Sequence, residues 1–375
     1  GAPFAAFGSL FNCAFVLYRG RVLGIVPKVN IPNYAEYYEM RQFVPGTFEN
    51  AEIELWGQKV PFGSKLIFRC REFEDFSFAV EICEDLWVPE SPSLSHAVAG
   101  AAIIVNPSAG DETIGKAEYR RMMVRAASGK LLCGYVYAGA GDGESTGDMV
   151  FSGHSMICEN GVMLSETELF ENGFAAADID VERLLSERRK MNTFVPAAAG
   201  YVEVLFDMDV DCRHFDRVVA KMPFVPSGKS DKDKVCGEIL RMQAWGLKKR
   251  VLHTGCRTCV VGISGGLDSA LALLVTVEAM DILKRPRTDI IAVTMPCFGT
   301  TGRTKSNAQL LCEALGVTFR EVNITDTVLS HFNDIGQSSD DYSVTFENSQ
   351  ARERTQVLMD IANMTGGIVI GTGDL

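Results

Sequence analysis

No apolar run in this 375-residue chain reaches the roughly 18 residues of a membrane-spanning helix. The most apolar stretch, residues 97–105, is half that long and predicts a helix end followed by a buried strand. Positive charge is short as well. Lys and Arg number 36 against 48 Asp and Glu, a formal net charge of −12 that repels a phosphate backbone and excludes sequence-independent nucleic-acid binding. There is no internal repeat and no low-complexity tract, which argues against a solenoid or a disordered chain. Only five histidines are present, and no Asp or Glu occurs before Lys28. Both scarcities limit the acid–base chemistry open to the N-terminal half.

What is present is ordinary globular material, 47% hydrophobic and 22% charged, enough for two cores. The eleven cysteines are too few for a chain this long to be a disulfide scaffold. Most are expected to be reduced, buried residues of a cytoplasmic protein, as Cys133 and Cys158 are in their apolar strands. Cys256 and Cys259 form a Cys-x-x-Cys pair without a second pair nearby, so zinc has no ligand set there. Gly1 opens the chain with neither an initiator Met nor a signal-peptide pattern. The chain stops on Gly371-Thr372-Gly373-Asp374-Leu375, directly after an apolar strand, and both ends are expected to be cut.

Two rhythms divide the sequence. In the first half, residues 11–18 and 21–26 flank Arg19-Gly20 and predict a hairpin. Short apolar runs at 66–69, 77–83, 101–106, 132–138 and 153–158 alternate with only two helical stretches, 93–100 and 115–130, and a charged helix follows over 181–192. That pattern predicts a layered α/β domain with mixed β-sheets over residues 1–195. Residues 196–230 hold Pro196, Pro223, Pro226, Gly228 and a charged run, and are expected to be a linker. From residue 231 to 375 helices and β-branched runs alternate regularly: helix 235–253, strand 258–263, helix 269–284, strand 289–295, helix 304–315, strand 317–322, helix 347–364, strand 367–371. Such spacing predicts a doubly wound parallel sheet.

The strand 258–263 runs into Ser264-Gly265-Gly266-Leu267-Asp268-Ser269 and then an apolar helix. Adjacent glycines let backbone N–H groups approach a phosphate without a Cβ clash, and the helix N-terminus adds partial positive charge. The hydroxyls of Ser264 and Ser269 can donate to phosphate oxygens. Asp268 beside a bare pyrophosphate would be repelled, so it is expected to hold Mg²⁺. The Walker spacing is absent. The segment instead resembles the SGGxDS loop of the N-type ATP pyrophosphatases, which adenylate a carbonyl oxygen and let ammonia displace AMP. Within that group, TFENSQARER (345–354) and Gly371-Thr372-Gly373-Asp374 resemble NAD synthetase segments. The resemblance implies that Asn348, Arg352 and Arg354 lie at the acceptor dinucleotide, deamido-NAD, and that Thr372 approaches ATP. Thr300, Thr301 and Thr304 resemble a loop that closes over the nucleotide, and a further metal-binding glutamate is expected beyond residue 375.

In the first half, VPKVNIPNYAEYYEMRQF (26–43) and EICEDLW (81–87) together resemble the nitrilase-like glutaminase domain fused to bacterial NAD synthetases. The resemblance implies a Glu–Lys–Cys triad, with Cys83 as the nucleophile and Lys28 as the electrostatic partner of the oxyanion. Tyr34, Glu84 and Ser108 are implied neighbours of glutamine. Glu84 suits either the α-ammonium of the substrate or a salt bridge to a local arginine. Lys116 and Arg120 lie on the following helix. The triad's general-base Glu belongs well N-terminal of the Lys and is missing from residues 1–27, so the polypeptide as written is not expected to hydrolyse glutamine. Glu81, Glu84 and Asp85 surround Cys83 with negative charge, which works against a reactive thiol unless a cation offsets it. With no His near Cys83 or Lys28, a papain-like pair lacks support. The loop Gly139 to Gly147 borders either the pocket, a subunit contact or only solvent.

The resemblance as a whole implies a glutamine-dependent NAD synthetase with ATP and Mg²⁺. Glutamine, ATP and deamido-NAD would be its substrates, a sheltered path would carry ammonia, and the protein would be a cytoplasmic homo-oligomer. Two other readings stand beside it, another glutamine-dependent ATP-pyrophosphatase amidotransferase and a catalytically incomplete scaffold.

Overall fold

The computed structural model describes residues 1–47, 49–144, 149–209, 217, 219, 221–225, 228–298 and 302–372, with the backbone alone at 229, 230 and 302–306. They form two compact units, Gly1–Val219 and Ala220–Leu375.

The first unit runs β1 (Ala2–Ala6), β2 (Ser9–Tyr18), β3 (Arg21–Pro27), β4 (Ala51–Leu55), β5 (Gln58–Phe62), β6 (Leu66–Cys70), β7 (Ser77–Val80), α1 (Pro92–Val98), β8 (Ile103–Ser108), α2 (Lys116–Leu131), β9 (Gly134–Gly139), β10 (Met156–Glu159), β11 (Val162–Glu166), α3 (Val181–Lys190) and β12 (Val202–Phe206). The hairpin predicted at Arg19-Gly20 forms, with Tyr18 opposite Arg21. Positive φ at both turn residues gives the I′ geometry that matches strand twist. Five strands make one sheet, ordered β1-β2-β3-β5-β4, and seven make another, ordered β11-β10-β9-β8-β7-β6-β12. The second sheet is mixed. Its centre, β7-β8-β9, is parallel, while β6 and β10 run antiparallel to their inner neighbours.

Strand alternation fixes the layers. Val80 on β7, Phe68 on β6 and Val204 on β12 join Ala14 and Val26 of the five-stranded sheet in one buried cluster between the sheets. Ala79, the sequence neighbour of Val80, and Ile104 and Tyr135 on β8 and β9 face the other way and pack under Ala97 of α1 and Val124 and Leu131 of α2. Fully burying a side chain such as Phe68 stabilises the fold by about 1.5–3 kcal/mol. The charged helix α3 is held by one inward charge. Buried Arg188 donates to the carbonyls of Ala101 (2.8 Å), Leu132 (3.0 Å) and Ala97 (3.3 Å). Residues 202–206, inside the stretch expected to be linker, form β12 and pair in parallel with β6, because Val204 and Phe206 extend the apolar face between the sheets.

His96 of α1 is 2% exposed, and its Nδ1 lies 2.7 Å from the Tyr201 hydroxyl. Burial lowers its pKa to about 4, below the ~6.5 of an unfolded chain. Between those values the unfolded state takes up a proton that the folded state refuses. Stability is therefore expected to fall as pH drops from about 6.5 and to level off below about 4, with a total loss of about 3 kcal/mol. Urea unfolding from pH 7 to 4 measures it. His96→Gln should flatten that part of the profile, and an unchanged slope would reject the assignment.

The second unit runs α4 (Lys229–Thr254), β13 (Cys259–Gly262), α5 (Leu267–Ile282), β14 (Ile290–Thr294), α6 (Gly302–Leu315), β15 (Thr318–Glu321), α7 (Thr325–Ile335), α8 (Val344–Thr365) and β16 (Ile368–Ile370). Its four strands are all parallel, in the order β15-β14-β13-β16. Val261 and Ala292 face Leu273 and Val277 of α5, Val251 of α4 and Ala308 of α6, while Val260 and Val293 face Ile361 and Ala362 of α8. Helices thus cover both faces, the doubly wound architecture predicted from the spacing.

Candidate functional site

In the first unit, β7 ends at Val80 and the chain turns into a 3-10 turn, Cys83–Leu86. Cys83 sits at the corner with φ +47°, a left-handed conformation that costs a non-glycine residue roughly 1–2 kcal/mol and turns its side chain away from the strand's own alternation. Its N–H donates to Oδ1 of Asn106 at 2.8 Å, and the Nδ2 of fully buried Asn106 donates to the Tyr135 hydroxyl at 3.1 Å. Lys28 follows β3 of the other sheet and is 1% exposed. Its Nζ donates to both oxygens of Glu39, at 2.8 and 2.9 Å. Glu39 opens a short 3-10 turn, Glu39–Arg41, and also accepts from Asn12 Nδ2 at 3.4 Å. Lys28, Glu39, Cys83 and Ser108 line one cavity of about 420 Å³.

The three acids beside Cys83 are each occupied. Glu81 is 1% exposed, and its carboxylate accepts from Tyr135, from the Ser91 hydroxyl at 2.7 Å and from the Ser93 N–H at 2.7 Å. Burial raises its pKa. Asp85 is bound by the backbone around Cys83 and Lys28. Glu84 alone faces outward, accepting from the Tyr34 hydroxyl at 2.7 Å. That bond, rather than a local arginine, is its partner in the first unit, and it pushes the Tyr34 pKa up to about 12.

Cys83, Tyr34, Glu84, Lys116 and Arg120 line a second cavity of about 150 Å³. Its lining holds the carboxylate of Glu84 together with Lys116, ion-paired with Asp111, whose carboxylate also accepts from Tyr37 at 2.6 Å. Arg120 is pinned behind by Glu112 at 2.7 Å and His154 at 2.8 Å. A small cleft whose lining combines a carboxylate, an ammonium, a guanidinium and a cysteine holds the charged groups that an α-amino acid needs. Ser108 accepts from the Tyr137 hydroxyl at 2.7 Å and lines the larger cavity, away from Glu84. Sequence reasoning gave no role to Glu39 or Asn106 and read Asp85 only as a charge hostile to the thiol. An acid eleven residues after Lys28 carries no motif, and Asn106 lies across the sheet from the cysteine.

In the second unit, Ser264 to Gly266 leave the carboxyl end of β13, and α5 begins at Leu267. Gly265 has φ +82°, which a side chain would strain. The Ser264 hydroxyl lies 3.2 Å from that of Ser269 and accepts from the Gly266 N–H at 3.3 Å. Asp268 lies in the first turn of α5 and is exposed. β14 and β15 lie to one side of β13 and β16 to the other, so the loop sits where the strand order reverses, the usual ligand position in open α/β sheets. Since Val261 pairs with Ile370, Thr372 emerges from β16 at the same end. On α8, Asn348 and Arg352 are one turn apart and exposed, with Arg352 donating to Ser349 at 3.3 Å. Arg354, two residues on, falls on the opposite side of the helix and is half-buried. Among the described residues no cluster of three or more metal-ligating side chains exists. Asp268 on a glycine-rich loop at a helix start still fits Mg²⁺, which is commonly bound by one carboxylate together with phosphate oxygens. Thr300, Thr301, Gly373 and Asp374 lie outside the described residues, as do residues 145–147 of the Gly-rich loop.

Ten cysteines are described, and none of them is in a disulfide. No helix among the described residues is long and apolar enough to cross a membrane.

Residues 2–189 match the family model of carbon-nitrogen hydrolases, and residues 239–375 match that of NAD synthase. The glutamine-dependent NAD(+) synthetase of Mycobacterium tuberculosis is 44% identical over 392 residues, covering 100% of this chain and 57% of the relative. That of Mycobacterium leprae is 43% identical over 390 residues, with 100% and 57% covered. That of Thermotoga maritima is 28% identical over 376 residues, with 97% and 58% covered. The chain therefore spans somewhat over half the length of these curated relatives.

Proposed function

The chain belongs to the carbon-nitrogen hydrolase family, with a region matching NAD synthase after it, and from that premise we propose that it works as a glutamine-dependent NAD synthetase. The observation that carries this reading is the cleft that brings Cys83 together with Tyr34, Glu84 and Lys116. The γ-amide of glutamine would face Cys83, its α-ammonium Glu84 and Tyr34, and its α-carboxylate Lys116. Attack of the Cys83 sulfur on the amide carbon forms a thioester as the C–N bond breaks, the thiol proton leaves with the nitrogen as ammonia, and water then frees glutamate and the thiol. The Lys28 ammonium stabilises the oxyanion, and Glu39 keeps that ammonium in place. Both Glu39 oxygens accept from Lys28, so the proton transfer is not assigned to it. Ser108 borders the same reaction space.

In the second unit, the nicotinate carboxylate of deamido-NAD attacks the α-phosphorus of ATP and pyrophosphate leaves. Ammonia then adds to the adenylated carbonyl and AMP leaves, giving NAD. Ser264, Gly265, Gly266, Ser269 and Thr372 are the ATP contacts in this reading, and Asn348, Arg352 and Arg354 those for deamido-NAD. Of the last three, Arg354 needs a rotation of α8 or a second contact face. Mg²⁺ held by Asp268 would neutralise charge on the phosphates. The reading extends to a cytoplasmic homo-oligomer.

The test of the cleft uses a chloromethyl ketone analogue of glutamine, which alkylates a cysteine only after it binds. Labelling should saturate and be blocked by glutamine. Glu84→Gln is expected to raise the inactivator's KI about tenfold or more with kinact nearly unchanged, because it removes one charge-assisted contact to the α-ammonium. If KI stays at the wild-type value, the amino-acid pocket is wrongly placed.

A further inference from the structure

We propose that Asp85 is a positioning residue, the polar tie that sets Lys28 against Cys83; this deepens the glutaminase reading of the site and rests on it. Cys83 and Lys28 arrive from different sheets, one after β7 of the seven-stranded sheet and the other after β3 of the five-stranded sheet. The sheets meet through apolar side chains, Val26, Val80 and Phe68 among them. Apolar burial is non-directional and holds the layers together without fixing two loops to a few tenths of an ångström. Hydrogen bonds are directional and can.

Asp85 supplies them from a buried position, 1% exposed. Its Oδ2 accepts from the N–H of Ile82, the residue before the nucleophile, at 2.9 Å. Its Oδ1 accepts from the N–H and from the side-chain amide of Asn30, two residues after Lys28, both at 2.8 Å. A carboxylate is the one common side chain offering four lone-pair sites and no hydrogen, so it can collect donors from both loops at once. The negative charge placed beside a reactive thiol thereby has a use. It faces the backbone N–H groups on either side of the cleft rather than the sulfur.

The experiment follows inactivation by the same chloromethyl ketone in wild type, Asp85→Asn, Lys28→Met and the double variant. Asp85→Asn keeps the shape but turns an N–H₂ toward donors. The tie predicts kinact lower by about tenfold with KI within about twofold, since binding groups stay put while the reacting geometry slackens. In the Lys28→Met background the same change should add less than about twofold, because a residue acting through Lys28 has nothing left to position. Asn30→Ala, half-exposed and milder, should lower kinact about threefold in the same direction, and it decides the matter if Asp85→Asn does not fold. Unchanged kinact in Asp85→Asn and Asn30→Ala, a change confined to KI, or full additivity with Lys28→Met overturns the proposal while leaving the site reading intact. If Lys28→Met itself leaves kinact unchanged, the pairing of Lys28 with Cys83 falls, and the tie falls with it.

Discussion

Cys83→Ser should lose covalent labelling by the glutamine chloromethyl ketone, a drop of at least about a thousandfold in kinact/KI, with an unaltered thermal transition. The size follows from the chemistry. The thiolate is the attacking species, and a hydroxyl of nearly the same volume does not ionise in the accessible pH range. The fold has no reason to respond, since Ser can keep the left-handed corner and the N–H bond to Asn106. Other thiols give a readable background. Burial pushes Cys13 and Cys133 up to about 12 and Cys158 to about 11, which silences them near neutral pH. Cys236 is exposed and Cys256 and Cys297 are half-buried, so these can react, but without saturation and without protection by glutamine. Peptide mapping separates the two classes. Saturable, glutamine-protected labelling that survives Cys83→Ser would move the nucleophile elsewhere and end the present assignment.

How the sequence disclosed this site, and how it did not, follows from the distance over which each signal acts. The glycine loop at 264–269 is a local device. Strand, glycine pair and helix start are consecutive, so residues 259–282 declare their own geometry. The βαβ rhythm declared the doubly wound sheet for the same reason. Lys28 and Cys83 were found through the wording of two separate segments, each of them local. The partners that make them a site are not local. Glu39 meets Lys28 across a loop, Asp85 reaches Asn30 over 55 residues, and Asn106 reaches Cys83 over 23. No periodicity encodes such pairings. The three acids near Cys83 looked hostile in the sequence because a sequence gives proximity without direction, and two of the three carboxylates turn into backbone donors. Missed elements have plainer causes. The β4–β5 hairpin carries Trp56-Gly57 rather than an Asn-Gly turn, and α7 lies in a polar stretch where only Val328 and Phe332 are buried on the helix. β12 followed a Pro- and Ala-rich break that outweighed its short apolar alternation.

ATP binding in the second unit should respond to Asp268→Ala in opposite senses with and without Mg²⁺. With Mg²⁺ present, the dissociation constant of a non-hydrolysable ATP analogue is expected to rise about hundredfold, because in the proposed reading the exposed carboxylate at the start of α5 is the chain's own ligand for the ion. With the ion chelated, the same variant is expected to bind slightly better than wild type, because an anion facing a triphosphate has been removed. A helix N-terminus attracts phosphate on its own, and a carboxylate in its first turn is tolerable beside a nucleotide only with a cation between them. Gly265→Val serves as the contrasting variant. A β-branched residue at φ +82° is strained by roughly 1–2 kcal/mol or more and places its Cβ where, in the proposed reading, backbone N–H groups approach the phosphate, so binding should weaken under both conditions. Titration calorimetry reads both effects. A loss in Asp268→Ala that is the same size with and without Mg²⁺ would mean that Asp268 shapes the loop and holds no metal, leaving the ion to be bound by the phosphates alone.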